Sequence, residues 1–246
     1  MKSYSEFFNL QSVVNDSGMK KKVILTGFLL LIAEILTMSQ VIIRPNYTLK
    51  SHETLNIEKI EILQGSTVFH MSIENRIPGG YFCADRNIFI VYPDGTRTRL
   101  VSSKGIPVCP QTHRFKKEGE KLEFTLTFQS LKKADCIDLI EECSDNCFAF
   151  YGIVLKDETN KLLNEVFAHA DTGELTKALD ILKRLNDNTE NPDCGITGII
   201  CLTTIKLARE AGNEELAAQF YRILNVSKDP RRDVYLNHLN SLGIRY

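Results

Sequence analysis

The sequence predicts an α+β fold in two parts, an antiparallel β-sandwich followed by a small domain of helical hairpins. Between Thr54 and Leu155 the dominant hydrophobic period is two, and after Leu155 it changes to about 3.6. Of the 246 residues, 43% are hydrophobic, which excludes a wholly disordered chain and a multispanning membrane protein. The formal net charge of −1 lacks the strong excess of Lys and Arg that nucleic-acid binding requires.

Residues 1–39 are predicted to be an N-terminal extension plus a signal peptide, with Met19 as the true start. Lys20 to Lys22 are cationic, and residues 23–36 form an apolar run shorter than the ~20 residues of a membrane-spanning helix. Small residues at positions 37 and 39 favour cleavage before Gln40. We therefore expect export to the periplasm or the extracellular space. An uncleaved inner-membrane anchor through residues 23–38, or a buried core helix, remains an alternative.

Residues 47–155 are predicted to form the β-sandwich. Residues 122–128 alternate without a break, which places Leu122, Phe124, Leu126 and Phe128 on one buried face. Further strands are expected at residues 69–73, 87–92, 96–101, 137–140 and 148–155. The Pro-Asp-Gly sequence at positions 93–95 predicts a turn between two of them.

About seven strands in roughly a hundred residues resemble an immunoglobulin-like sandwich. The sequence contains no tryptophan, so the Cys–Trp–Cys spacing of antibody domains is absent. The prediction therefore concerns the immunoglobulin-like architecture, and not membership of the antibody-type family.

The sequence contains seven cysteines, of which Cys194 and Cys201 lie in the helical part. The candidate disulfide cysteines of the β-sandwich are Cys83, Cys109, Cys136, Cys143 and Cys147. We expect Cys109 to pair with Cys143 or Cys147, and Cys83 to pair with another of the five. Metal binding and free thiols remain alternatives for the pair at 143 and 147, which has no second close pair and no neighbouring His. The odd cysteine is either a buried free thiol of the sandwich or the partner of a helical cysteine.

Residues 157–246 are predicted to be helical. Asp157 is expected to cap a first helix that ends at Gly173, and residues 174–185 form the next. The same plan recurs 39 residues later, where residues 207–217 parallel residues 166–178. Asp229 and Pro230 then predict the N-cap and the first position of a final helix.

These helices resemble the tetratricopeptide repeat (TPR), in which a small residue ends the first helix and an Ala lets the second pack closely. The matching positions are Gly173, Ala178, Leu182, Gly212, Ala217 and Tyr221. The final helix resembles the solvating helix that closes such arrays. Two hairpins are fewer than the ~3 repeats that a free array needs, so we expect this part to pack on the sandwich or to pair with a second copy in a homodimer.

The order of signal, sandwich and short hairpins also resembles a group of uncharacterised exported bacterial proteins. Residues 105–110, 137–143 and 146–148 carry this resemblance, which implies no known activity. The chain has no Gly-x-Ser-x-Gly, His-Glu-x-x-His or phosphate-binding Gly-rich motif, so no catalytic, cofactor-binding or metal residue is predicted.

We therefore expect a non-enzymatic protein of the cell envelope that binds an unidentified protein partner or serves as a scaffold. It needs no cofactor and no nucleic acid, and it contacts the membrane only if the signal segment stays uncleaved. The alternative is an envelope enzyme whose site is assembled from dispersed residues.

Overall fold

The period-two segment folds into strands and the segment after it into helices, as predicted, in a computed structural model that describes residues 38–188 and 195–246. Residues 1–37 of the predicted extension and signal segment, and Cys194, lie outside the described residues. Residues 40–246 form one compact unit. Within the described ranges no helix has the length and apolar character needed to cross a membrane.

Ten strands form two five-stranded sheets, and two short strands form a third. Sheet A has the order β1 (Met38–Ile43), β3 (Leu55–Leu63), β4 (Ser66–Glu74), β10 (Lys121–Gln129) and β8 (Ser102–Lys104). Sheet B has the order β2 (Leu49–Lys50), β12 (Ala149–Val154), β11 (Cys136–Glu141), β6 (Ile88–Val91) and β7 (Arg97–Arg99). The third sheet pairs β5 (Tyr81–Phe82) with β9 (His113–Arg114).

One hydrophobic core fills the space between sheets A and B. The predicted buried face of β10 is confirmed, because Phe124, Leu126 and Phe128 are buried and Leu122 is half-buried against the same core. Sheet B contributes residues such as Ile90 and Leu139. The two sheets therefore form a β-sandwich.

The structure contains more strands than the seven predicted. Strands β2, β5, β8 and β9 have only two or three residues, which is too short for an alternating pattern to stand out, whereas β7 lies within the predicted strand at residues 96–101. In β3 the register against β4 shifts between Ile57 and Lys59, and this bulge interrupts the period of two. The strands also begin earlier than residue 47, because β1 starts at Met38.

Five helices follow the sandwich in the described residues: α1 (Asp157–Asp171), α2 (Leu175–Asp187), α3 (Ile196–Glu210), α4 (Glu214–Val226) and α5 (Arg232–Ser241). Two predicted N-caps are wrong. The N-cap of α1 is Lys156, so Asp157 is already the first helical residue. The N-cap of α5 is Arg231, because the Asp229 carboxylate accepts the Arg231 N–H at 2.8 Å and forms a turn before the helix begins.

The two helical hairpins turn in the same way at equivalent positions. Gly173 and Gly212 have φ of +77° and +71°, which favours glycine after a helix. The N–H of Glu174 donates to the His169 carbonyl at 2.8 Å, and the N–H of Asn213 donates to the Ala208 carbonyl at 2.7 Å. Inside the hairpins, Ala178, Leu182 and Ala217 are buried and Tyr221 is partly buried.

The helices pack on the outer face of sheet B. Helices α1 and α3 both contact β12, and Val154 of β12 belongs to the helical core, with Leu49 and Tyr151 packed against it. Tyr235 in the final helix, α5, is fully buried. This helix therefore packs into the protein and is more than the solvating helix that the TPR resemblance implies. Among residues 38–188 and 195–246, helices cover the outer face of sheet B and leave the outer face of sheet A open.

Candidate functional site: a disulfide-stapled loop surface

Two disulfides stiffen the loops that follow β4, β8 and β11. Cys83 bonds to Cys109, and Cys143 bonds to Cys147. The predicted pairing of Cys109 with Cys143 or Cys147 is therefore wrong. The reason is a backbone contact at Ala84, whose N–H donates to the Pro107 carbonyl at 3.0 Å and so brings residue 83 beside residue 109.

The remaining described cysteines are both buried at or near the helices. Cys136 lies in β11, and its sulfur faces the backbone of Gly195 at the start of α3. Cys201 lies in α3 as a buried free thiol, and burial raises its pKa to about 12. A thiol with so high a pKa is chemically inert at neutral pH.

The stapled loops expose two large apolar side chains. Ile77 is 63% exposed and Tyr81 is 66% exposed. Residues 76–81 and 113–118, which we call the loop surface, interlock through backbone contacts. Tyr81 pairs with Arg114 across β5 and β9, and the N–H of Phe115 donates to the Gly80 carbonyl at 2.9 Å. The exposed side chains are thus mounted on a backbone that is fixed on both sides.

Asn75 holds the two segments of the loop surface together from below. This residue is buried, its side-chain amide donates to the Lys117 carbonyl at 2.9 Å, and its carbonyl accepts the N–H of Gly119 at 2.8 Å. A Cβ at Gly80 would lie 2.0 Å from the Asn75 Oδ1, so only glycine fits there. The sequence Pro-Gly-Gly at 78–80 is thus a turn, as its composition indicates.

The loop that carries Cys143 and Cys147 is tied to the loop after β4 by a buried carboxylate. Glu141 accepts the N–H of Asp85 at 2.7 Å and the N–H of Phe148 at 3.0 Å. Burial raises the pKa of Glu141, and these two donors partly offset that effect. The Glu141 carboxylate therefore has a structural role, because it holds the two loops together.

A second buried polar cluster lies at the junction of sheet B and the helices. The Arg231 guanidinium donates through Nε to Asp138 Oδ2 at 2.5 Å, and the Gly152 N–H donates to Asp138 Oδ1 at 2.8 Å. Both charged residues are 4% exposed. Burial raises the pKa of Asp138, and the neighbouring Arg231 lowers it. The pair joins β11 to the start of α5 across 93 positions of the sequence.

Tyr235 fills the junction beside this ion pair, and two glycines make room for it. A Cβ at Gly198 in α3 would lie 2.2 Å from the Tyr235 ring, and a Cβ at Gly152 would lie 3.0 Å from its hydroxyl. Gly152 also has a φ of +65°. Burial raises the pKa of Tyr235 well above its ordinary value. These residues are packed together as an internal contact rather than as an open site.

The open face of sheet A carries a groove of about 500 Å³ lined by charged side chains. Glu61 contacts Lys59 at 2.6 Å and His70 at 3.0 Å, and Ser72 donates to Glu58 at 2.6 Å. These hydrogen bonds lower the pKa of Glu58 and of Glu61. A general acid needs a raised pKa, whereas the pKa values of Glu58 and Glu61 are lowered. These two carboxylates are therefore typical of a solvated, charged protein surface.

No group of three or more His, Cys, Asp or Glu side chains is placed to hold a metal ion in the described part of the chain. Asp138 and Glu141, from the acidic stretch that precedes Cys143, are committed to internal contacts instead. Arg97 and Arg99 are exposed on the edge strand β7, where Arg97 pairs with Glu142. This charged edge is a common way to discourage strand pairing with other chains.

No family model, curated protein or solved structure matches the chain. The loop surface was not predicted from the sequence, in which residues 78–80 indicated only a turn. The apolar residues Ile77 and Tyr81 flank this Gly-rich turn. Because turns lie at the surface, this arrangement is the sequence signal that could have indicated exposed apolar side chains.

Proposed function

We propose that the protein is a non-enzymatic, exported module of the bacterial cell envelope that binds a protein partner through the loop surface. One observation carries this proposal: Ile77 and Tyr81 are 63% and 66% exposed on loops that a disulfide and a buried Asn hold in place. Tyrosine side chains are enriched among the residues that dominate binding energy. A rigid backbone also lowers the entropy lost on association.

The proposed immunoglobulin-like class of the sandwich is supported by strand order. An immunoglobulin domain has strands A, B, E and D in one sheet and G, F and C in the other. The orders β3-β4-β10-β8 and β12-β11-β6 have the same succession, with β1, β2 and β7 added at the edges. In this correspondence the loops after β4 and β11 are the B–C and F–G loops, which lie at the end that antibodies use for recognition.

The proposed TPR-like class of the helices rests on their two equivalent hairpins. In such arrays a helical groove commonly receives the ligand. Here α1 and α3, the first helices of the two hairpins, contact β12 of the same chain. The helices are therefore used to support the sandwich, which favours the loops as the recognition surface.

Export to the periplasm or the extracellular space is part of the same proposal. The two disulfides support it, because such bonds persist in oxidising compartments and are rare in the cytosol. A non-catalytic role is supported by two buried acids with raised pKa, Asp138 and Glu141, because both are held by internal donors. Groups tuned for catalysis face a cleft instead.

The test is capture from a solubilised envelope fraction with immobilised protein. The variant Ile77→Ser/Tyr81→Ser is expected to lose the partner by about tenfold or more, since loss of central anchors commonly costs more than ~1.4 kcal/mol. The matched control is Val226→Ser/Leu242→Ser, which removes two apolar side chains that are 78% and 52% exposed on the helices. Both variants should keep the melting temperature of the wild type, because exposed substitutions change stability by about 0.5 kcal/mol or less.

Equal capture by the two variants would contradict the proposal. Deletion of the helices is unsuitable for this test, because it would leave Asp138 buried without Arg231.

A further inference from the structure

The loop surface carries exposed cations whose charge is not balanced within the protein. Residues 113–118 contain three cations and one carboxylate. Arg114, Lys116 and Lys117 are exposed, and none of the three takes part in an ion pair within residues 38–188 and 195–246. The chain has a formal net charge of −1, so the local positive charge of this segment is opposite in sign to the net charge of the chain.

Two of the acidic side chains near this surface are already engaged, while Glu118 is exposed within residues 113–118. Glu53 contacts Arg76 at 3.4 Å, and Glu120 accepts the backbone N–H of Lys116 at 2.6 Å and contacts His113 at 3.5 Å. The N–H of Lys116 lowers the pKa of Glu120, which keeps that carboxylate ionised and bound to its own loop. The cations at 114, 116 and 117 are therefore available to an outside partner.

The cations and the apolar side chains belong to one surface. Arg114 is the cross-strand partner of Tyr81, and the Lys117 carbonyl is bound by Asn75, two residues before Ile77. A ligand that covers Tyr81 and Ile77 therefore comes close to the cationic segment. Complementary charge at the rim of an apolar contact increases the association rate and excludes wrong partners.

We infer that the partner of the loop surface is a protein segment that presents an apolar or aromatic side chain flanked by Asp or Glu carboxylates. This inference rests on the proposed function and names the chemistry of the partner. The mixture of Glu53, Glu118 and Glu120 with the cations favours a polypeptide over a polyanion, because nucleic acids and anionic membranes are bound by surfaces with a uniform excess of Lys and Arg.

The experiment places p-benzoylphenylalanine at position 81 of the full chain, irradiates intact cells, and maps the cross-linked peptide by mass spectrometry. The expected peptide contains Asp or Glu beside an apolar residue. The variant Arg114→Glu/Lys116→Glu/Lys117→Glu should reduce the adduct about tenfold. The control variant Lys183→Glu/Arg184→Glu/Arg222→Glu makes the same charge change on exposed helical positions and should leave it unchanged.

The outcomes separate the two proposals. A protein adduct that survives the charge reversal at 114, 116 and 117 overturns the acidic partner and leaves the proposed function in place. Absence of any protein adduct overturns the proposed function. In parallel, the purified protein is mixed with phosphatidylglycerol vesicles and with a single-stranded oligonucleotide. Binding to either probe that is lost in the same variant overturns the protein partner in favour of that polyanion.

Discussion

The junction and the loop surface are parts of one sandwich that are held together by opposite means. At the junction, side chains form the contact: a buried ion pair between Asp138 and Arg231 and a buried ring, Tyr235, join sheet B to the helices. At the loops, disulfides and backbone hydrogen bonds form the contact, and large side chains such as Tyr81 point to solvent. The difference indicates that large apolar side chains are free for recognition where disulfides, backbone hydrogen bonds and the side chains of Asn75 and Glu141 maintain the shape.

The largest effect is expected from breaking the junction. Asp138→Ala leaves Arg231 buried without a counter-ion, and removal of one partner of a buried pair costs about 3–5 kcal/mol. The free energy of unfolding in urea measures this loss. The double variant Asp138→Leu/Arg231→Met is the control, since replacing both charges by apolar side chains is expected to restore much of the stability. If the double variant is as unstable as Asp138→Ala, the ion pair is not what makes the single change costly.

A smaller effect is expected from removing the disulfides, and its size should differ between the two. Cysteine separations of 26 and 4 residues predict contributions of about 3.5 kcal/mol for Cys83–Cys109 and about 2 kcal/mol for Cys143–Cys147, from the chain entropy of the unfolded state. Paired Cys→Ser variants measured by thermal unfolding test this order. The reverse order would show that residues 143–147 carry more of the loop structure than the bond after β4.

The smallest effect is a dependence on pH that separates buried from exposed carboxylates of the loops. Burial raises the pKa of Glu141 above its ordinary value of 4.5, so the folded state binds the proton more tightly than the unfolded state. Relative to Glu141→Gln, the wild type therefore loses stability as pH rises from 4.5 through the raised pKa. Glu120 is the matched control: its pKa is lowered, so relative to Glu120→Gln the wild type loses stability as pH falls.

The measurement is the free energy of unfolding of each variant and of the wild type between about pH 2.5 and about pH 7, so that it covers both the lowered pKa of Glu120 and the raised pKa of Glu141. For each variant, the difference in free energy of unfolding from the wild type is plotted against pH. Slopes of the same sign for Glu141→Gln and Glu120→Gln would contradict the assignment of one carboxylate to the interior and the other to the surface.

The parts of this fold that sequence predicts are those set by neighbouring residues. Alternation in residues 122–128 identified β10 and its buried face, and Gly173 and Gly212 identified the ends of α1 and α3. In each case the physical cause, a period of two or a left-handed glycine, acts within a few residues of the chain. Such signals need no knowledge of the tertiary structure.

The parts that sequence missed depend on residues far apart in the chain. Asp138 belongs to an acidic stretch, and nothing near it indicates that Arg231 lies against it. The N-cap of α5 was misplaced for the same reason, since Arg231 is held by the junction and Asp229 forms a turn before it. The pairing of Cys109 required the contact between Ala84 and residues 107–109, which only the folded loops create.

The long sequence separation within the junction sets an order on the maturation of the chain. Asp138 is made with the sandwich during synthesis, and Arg231 follows 93 positions later. Until α5 is made, Asp138 has no counter-ion and the outer face of sheet B lacks the buried ring of Tyr235. Exposed apolar surface makes partly folded chains prone to aggregation, so the packing of α5 on sheet B ends the period in which this face is uncovered.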